Sequence, residues 1–120
     1  MDETKFRSAQ TDLLMDAILH LKDRDEAYHF FEDLCTIAEI NKMAQRLEVA
    51  VLLRRKETYQ TIAEATGAST ATISRINRAM MYGQDGYQEI LGRLDREGLL
   101  GRLPGRTTAK PQDKPTDQDT

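Results

Sequence analysis

The chain has 120 residues, 39% hydrophobic and 31% charged, which sets an expectation of one domain with one tail and a modest core. A single cysteine, Cys35, forbids an internal disulfide and fits a reducing cytoplasm. No apolar run approaches the ~18 residues that cross a membrane, and the opening MDETKFRSAQ lacks the apolar segment of a secretory signal. The net charge of −3 argues against nucleic acid as a partner, but its distribution argues the other way. Residues 1–35 hold nine acids and four bases, net −5, whereas residues 54–82 hold five bases and two acids, net +3.

In chain order, residues 1–11 show no periodicity and are expected to be flexible, residues 12–103 to form the folded domain. From Asp12 the run LLMDAILHL places Leu14, Ile18 and Leu21 on one face of a first helix, with Leu13 and Ala17 beside it. A second helix is expected over Glu26 to Cys35, capped by Asp23 or Asp25 and carrying Tyr28, Phe30, Phe31 and Leu34. His20 and His29 have no cysteine or histidine partner at ligand spacing, so neither a metal nor a cofactor is expected.

Thr36-Ile37-Ala38-Glu39 is a capping box, in which the threonine hydroxyl and the glutamate carboxylate each serve the other residue's amide. It starts the longest helix, expected to end near Lys56. Five consecutive apolar residues, Val49 to Leu53, leave little of that helix polar. Such a stretch requires cover on several sides, which a second subunit would supply. The alternative is a helix buried centrally in a monomeric bundle.

The stretch Tyr59 to Arg78, YQTIAEATGASTATISRINR, then reads as two short helices joined by a tight turn. Thr58 and Ser69 are of favoured N-cap type. Gly67 stands where the backbone must turn through positive φ. Ile73 and Ile76 recur at i, i+3 and are expected to pack on Ile62 and Ala65, with Ala63 small enough for a close crossing. The outward positions Thr70, Ala71, Thr72, Ser74, Arg75 and Arg78 include no carboxylate. This is the composition of a DNA-reading helix-turn-helix, although a plain αα-hairpin of a bundle has the same periodicity. Thr70, Ala71, Thr72, Ser74 and Arg75 are the candidates for base edges. Arg54, Arg55, Lys56, Thr58, Ser69 and Arg78 are the candidates for phosphate contact. The three cations Arg54 to Lys56 also suit the negative end of the long helix's dipole.

Met80 and Met81 are expected as core filling. Asp85-Gly86 should turn the chain into a last amphipathic helix using Tyr87, Ile90, Leu91 and Leu94, which Gly98 can end. From Pro104 the tail PGRTTAKPQDKPTDQDT holds all three prolines and one aliphatic residue, Ala109, too little apolar surface to offset its ordering entropy. Residues 104–120 are therefore expected to be disordered.

The phrases EINKMAQRLEVAVLL and GASTATISRINRAM, with helices leading into a long helix, a helix-turn-helix and a closing helix, resemble the Trp repressor superfamily, most closely its YerC/YecD-type members. The resemblance spans about Leu13 to Leu94. It implies an all-α, intertwined homodimer binding operator DNA through paired helix-turn-helix units. It also implies an amino-acid co-repressor held between two arginines, the second followed by glycine. Arg75 keeps the second arginine, but Gln45 and Ile76 stand at the other two positions. An isoleucine side chain fills space an indole ring needs, and glutamine offers no cationic stacking. The residues thus argue against tryptophan as effector and leave another small molecule open.

The function expected is that of a homodimeric, sequence-specific transcriptional regulator of double-stranded DNA, a repressor by resemblance. The alternative is a protein-interaction module whose helix-turn-helix no longer binds DNA. An enzyme is not expected, because no nucleophile–base pair, phosphate loop or metal cluster is in the sequence.

Overall fold

The computed structural model describes residues 6–102. The expected tail over 104–120 and the first residues of the N-terminal stretch lie outside these. Six helices run in order: α1 (Ala9–Leu19), α2 (Arg24–Leu34), α3 (Ile37–Arg54), α4 (Tyr59–Thr66), α5 (Thr70–Tyr82) and α6 (Gly86–Arg96). A 3₁₀ turn follows at Leu100–Arg102. The fold is all-α.

The helix boundaries follow from local hydrogen bonds. α1 starts three residues before the expected Asp12 because Ser8 caps it. The Ser8 hydroxyl accepts from the Thr11 amide at 3.1 Å, and Thr11 Oγ1 accepts from the Ser8 amide at 2.8 Å. Asp23 caps α2, its Oδ1 accepting from the Glu26 amide at 2.8 Å. The box at α3 closes in both directions. The Glu39 amide donates to Thr36 Oγ1 at 3.1 Å, and the Thr36 amide donates to Glu39 Oε1 at 2.8 Å.

α3 stops at Arg54, two residues short of the expected end. The Lys56 amide donates to Leu53 O at 3.0 Å and the Glu57 amide to Leu52 O at 3.1 Å, with Lys56 at φ 67°. This is a Schellman ending whose left-handed position is held by lysine instead of the usual glycine. Replacing Lys56 by glycine removes the Cβ clash of that conformation, which exceeds the extra chain entropy glycine brings. We expect Lys56→Gly to raise the unfolding free energy by about 0.5–1 kcal/mol, measurable as a rise in the urea midpoint at unchanged m.

The chain divides between Asn41 and Lys42 into two compact units. In the first, α1 and α2 have no buried residue. Leu13, Leu19, Tyr28 and Leu34 are exposed, as is Ile37 at the start of α3.

The second unit has the core. Val49, Ala50, Val51 and Leu52 of α3, Ile62 of α4, Ala68 of the turn, Ile73, Ile76 and Met80 of α5, and Leu91 of α6 form one buried cluster. Leu53, Ala63, Tyr87, Leu94 and Leu100 pack around it. Several sequence expectations change here. The dry stretch Val49–Leu52 is sheltered by helices of its own chain, so it supplies no argument for a second subunit. Ala65 is exposed; Ala63 and Ala68 fill the role expected of it. Met80 is core, but Met81, one residue and ~100° further round the helix, is 61% exposed. Ile90 likewise lies on the outer side of α6.

Candidate nucleic-acid interface

The helix-turn-helix is built from α4, a three-residue turn and α5. Thr58 caps α4, its hydroxyl accepting from the Thr61 amide at 3.1 Å. Ser69 caps α5 in the same way, accepting from the Thr72 amide at 3.1 Å. The two caps repeat one device: a second hydroxyl, on Thr61 or Thr72, lies 3.0 or 3.1 Å from the capping oxygen. The hydroxyl oxygens thereby satisfy amides that a helix start leaves without partners.

Gly67 ends α4 at φ 78°. A Cβ placed there would meet nothing nearer than Gln45 Nε2 at 3.9 Å, so glycine is required by backbone conformation and not by space. The residues on either side complete the turn. Thr66 Oγ1 donates to Ile62 O at 2.8 Å and accepts from the Ala68 amide at 3.1 Å, while the Ala68 side chain is buried.

α5 presents two faces. Ile73, Ile76 and Met80 point into the core at i, i+3 and i+7. Thr70, Ala71, Ser74, Arg75 and Arg78 are exposed, and Thr72 is half-buried beside its cap. This outer surface has two guanidiniums, small polar groups and no carboxylate. A major groove can accept such a surface because phosphates repel acids, and base edges are read by short polar and guanidinium groups.

The other candidate residues separate. Of Arg54, Arg55 and Lys56, expected together at phosphates, the first two reach toward the C-terminal end of the second unit. Arg54 Nη2 lies 3.4 Å from Asp95 Oδ2, and Arg55 Nη2 donates to Leu100 O at 2.6 Å. Both arginines therefore brace α6 and the following 3₁₀ turn onto α3. Lys56 is exposed. Gln45, Arg75 and Ile76, grouped by the resemblance as an effector pocket, face different environments: the Gln45 amide donates to Thr66 O at 3.1 Å, Arg75 is exposed and Ile76 is 4% exposed within the core. Sequence reasoning missed the roles of Thr66, Ala68 and Gln88 altogether. Gln88 Nε2 donates to Met80 O at 3.2 Å. Among the described residues no group of three or more histidines, cysteines or acids is placed to hold a metal ion. No helix among them is long and apolar enough to cross a membrane.

Two short helices at a left-handed glycine turn, the second with a buried aliphatic face and an exposed acid-free one, define a helix-turn-helix on an all-α Trp-repressor-like scaffold. The chain belongs to the Trp repressor protein family, whose model matches residues 9–95. An uncharacterised Bacillus subtilis protein, YerC, is 53% identical over 94 residues, covering 78% of this chain and 90% of YerC. Among solved structures, a TrpR-like protein from Eubacterium eligens is 57% identical with a TM-score of 0.73, over 76% of this chain and 94% of that one. A proposed Trp repressor from Staphylococcus aureus is 50% identical, also with a TM-score of 0.73, over 76% of this chain and 91% of its own.

Proposed function

We propose that this protein is a sequence-specific DNA-binding transcriptional regulator, a repressor acting as a homodimer on a pseudo-palindromic operator through its helix-turn-helix within residues 12–103. The observation that carries the reading is the outer face of α5. Its exposed positions, Thr70, Ala71, Ser74, Arg75, Arg78 and Ala79, followed by Met81 and Tyr82 at the far end, include no acid in a chain whose acids outnumber its bases 20 to 17. Ala71 and the Thr72 methyl suit a thymine methyl group, and Arg75 or Arg78 suits a guanine edge or a phosphate. Tryptophan is not proposed as effector, since the Ile76 side chain is spent in the core and the Gln45 amide on Thr66.

The dimer rests on surface the chain leaves uncovered, not on Val49–Leu53. Leu13 is 71%, Leu19 79% and Ile37 68% exposed, aliphatic surface that a second copy would bury. An open recess of about 380 Å³ beside Leu47, Ala79, Tyr87 and Ile90 adds a further apolar surface on the second unit. A second copy would cover these and place two reading helices about 34–36 Å apart, or a multiple of that, on one side of a duplex.

The test is selection of bound fragments from a random-sequence duplex library by the purified full chain, with its mass measured by sedimentation. The expected result is one recurring inverted repeat, retention that falls steeply with salt, and twice the chain mass. Absence of any salt-dependent retention would overturn DNA binding and favour the interaction-module reading.

A further inference from the structure

The apolar core beneath the helix-turn-helix holds α4 and α5 down but does not by itself fix their orientation. Hydrophobic contact is non-directional, so burial of Ile73, Ile76 and Met80 specifies which face of the helix is inward more than its exact roll. Hydrogen bonds have direction, and two side chains supply them from outside the motif. Each meets a carbonyl that a helix end leaves without an intrahelical partner. Gln45, on α3, donates through Nε2 to the carbonyl of Thr66, the last residue of α4, at 3.1 Å. Gln88, on α6, donates through Nε2 to the carbonyl of Met80, in the last turn of α5, at 3.2 Å. Both bonds are partly shielded from solvent.

The Gln45 bond ends on the residue that organises the turn. Thr66 also bonds Ile62 O and the Ala68 amide through its hydroxyl, and Gly67 follows it in the left-handed conformation. A side chain from α3 is thus tied to the point about which the reading helix would pivot. Gln88 ties the opposite end.

We propose that Gln45 and Gln88 are positioning residues for DNA reading, two amide braces from α3 and α6 that fix the roll and tilt of the helix-turn-helix on its core. This inference rests on the DNA-binding reading above. Neither glutamine need touch DNA. Base readout depends on guanidinium and hydroxyl groups arriving within hydrogen-bond tolerance of base edges, whereas phosphate attraction survives small misalignment. Loss of a brace should therefore lower specific affinity and leave sequence-independent affinity in place.

The experiment uses the full chain with Gln45→Met and Gln88→Met, substitutions that keep side-chain length and remove the donor. Two duplexes serve as probes: the one most enriched by the wild type from a random-sequence library, and an unselected random duplex. Each variant should bind the selected duplex about five- to tenfold more weakly, with the random-duplex affinity and the salt slope unchanged. Amide exchange at Gly67 and Ala68 should quicken in Gln45→Met, with no change at Val49 or Leu91. Parallel loss on both duplexes with a lowered Tm would mark a merely structural bond and overturn the proposal, as would unchanged binding of the selected duplex. If the wild type enriches no duplex at all, the DNA-binding reading falls and this one with it. A wild type that selects while both variants match it overturns the braces alone.

Discussion

Ile73→Ala is expected to lower the unfolding free energy by about 2–5 kcal/mol, the range for truncating a fully buried aliphatic side chain. Ile73 has no solvent exposure and sits in the buried cluster that joins α3, α4, α5 and α6. Truncation loses the transfer energy of three carbons and leaves a cavity that rigid neighbours fill only in part. Alanine's better helix propensity offsets only a few tenths of a kcal/mol of this. In a domain of this size each kcal/mol moves the midpoint by about 4–8 °C, so Tm should fall by roughly 10 °C or more. The comparison is Met81→Ala, on the same helix but 61% exposed. That change should stay within about 0.5 kcal/mol. Thermal melts at one fixed protein concentration decide it, because association shifts apparent stability. Equal losses for the two variants would mean that α5 packs in a different register.

The contrast between Ile73 and Met81 also shows what the sequence could disclose. Features set within four residues were legible: the Thr36–Glu39 box, the Thr58 and Ser69 caps, the glycine at the turn, and the 73/76 stripe are where residue type and spacing place them. Their causes are local, so the sequence carries them. Adjacent methionines have the same hydrophobicity, and only the angular position of each on α5 distinguishes Met80 in the core from Met81 outside it.

Long-range cover was less legible. Five apolar residues in a row, Val49 to Leu53, state that most of a helix is dry without stating what makes it dry. The chain's own α4, α5 and α6 suffice. The most exposed aliphatic side chains are on α1, α2 and the start of α3, where periodicity looks ordinary. Polar pairs distant in sequence were the least legible. Arg54 with Asp95, Arg55 with Leu100 and Gln45 with Thr66 are 41, 45 and 21 residues apart, and no local pattern marks either partner. Residue type assigns Arg54 and Arg55 to phosphates, and the family resemblance puts Gln45 at an effector position, yet all three are engaged within the fold. A basic run at a helix end is first available to its own protein.

Arg75 and Arg78 are free of such engagement among the described residues, and the proposed dimer doubles the effect of changing either. Removing an arginine that meets a base or phosphate costs about 1–3 kcal/mol. Two identical sites per assembly make that roughly 2–6 kcal/mol, or about 30-fold to 10⁴-fold in affinity for the selected duplex. The two substitutions should nevertheless differ in kind. If one arginine reads a guanine, its alanine variant should relax preference at that base pair in each half-site and lose discrimination against the mismatched duplex. If it meets a phosphate, affinity should fall uniformly across sequences and the salt slope should drop by about one per half-site. Their positions on α5 favour the first role for Arg75, which lies in the second turn with Ser74, and the second role for Arg78, one turn further from the capped end. Titrations of Arg75→Ala and Arg78→Ala against the selected duplex and single-base variants, each at several salt concentrations, separate the two. Affinity unchanged in both variants would remove α5 from the interface, and with it the DNA-binding role proposed for the exposed face.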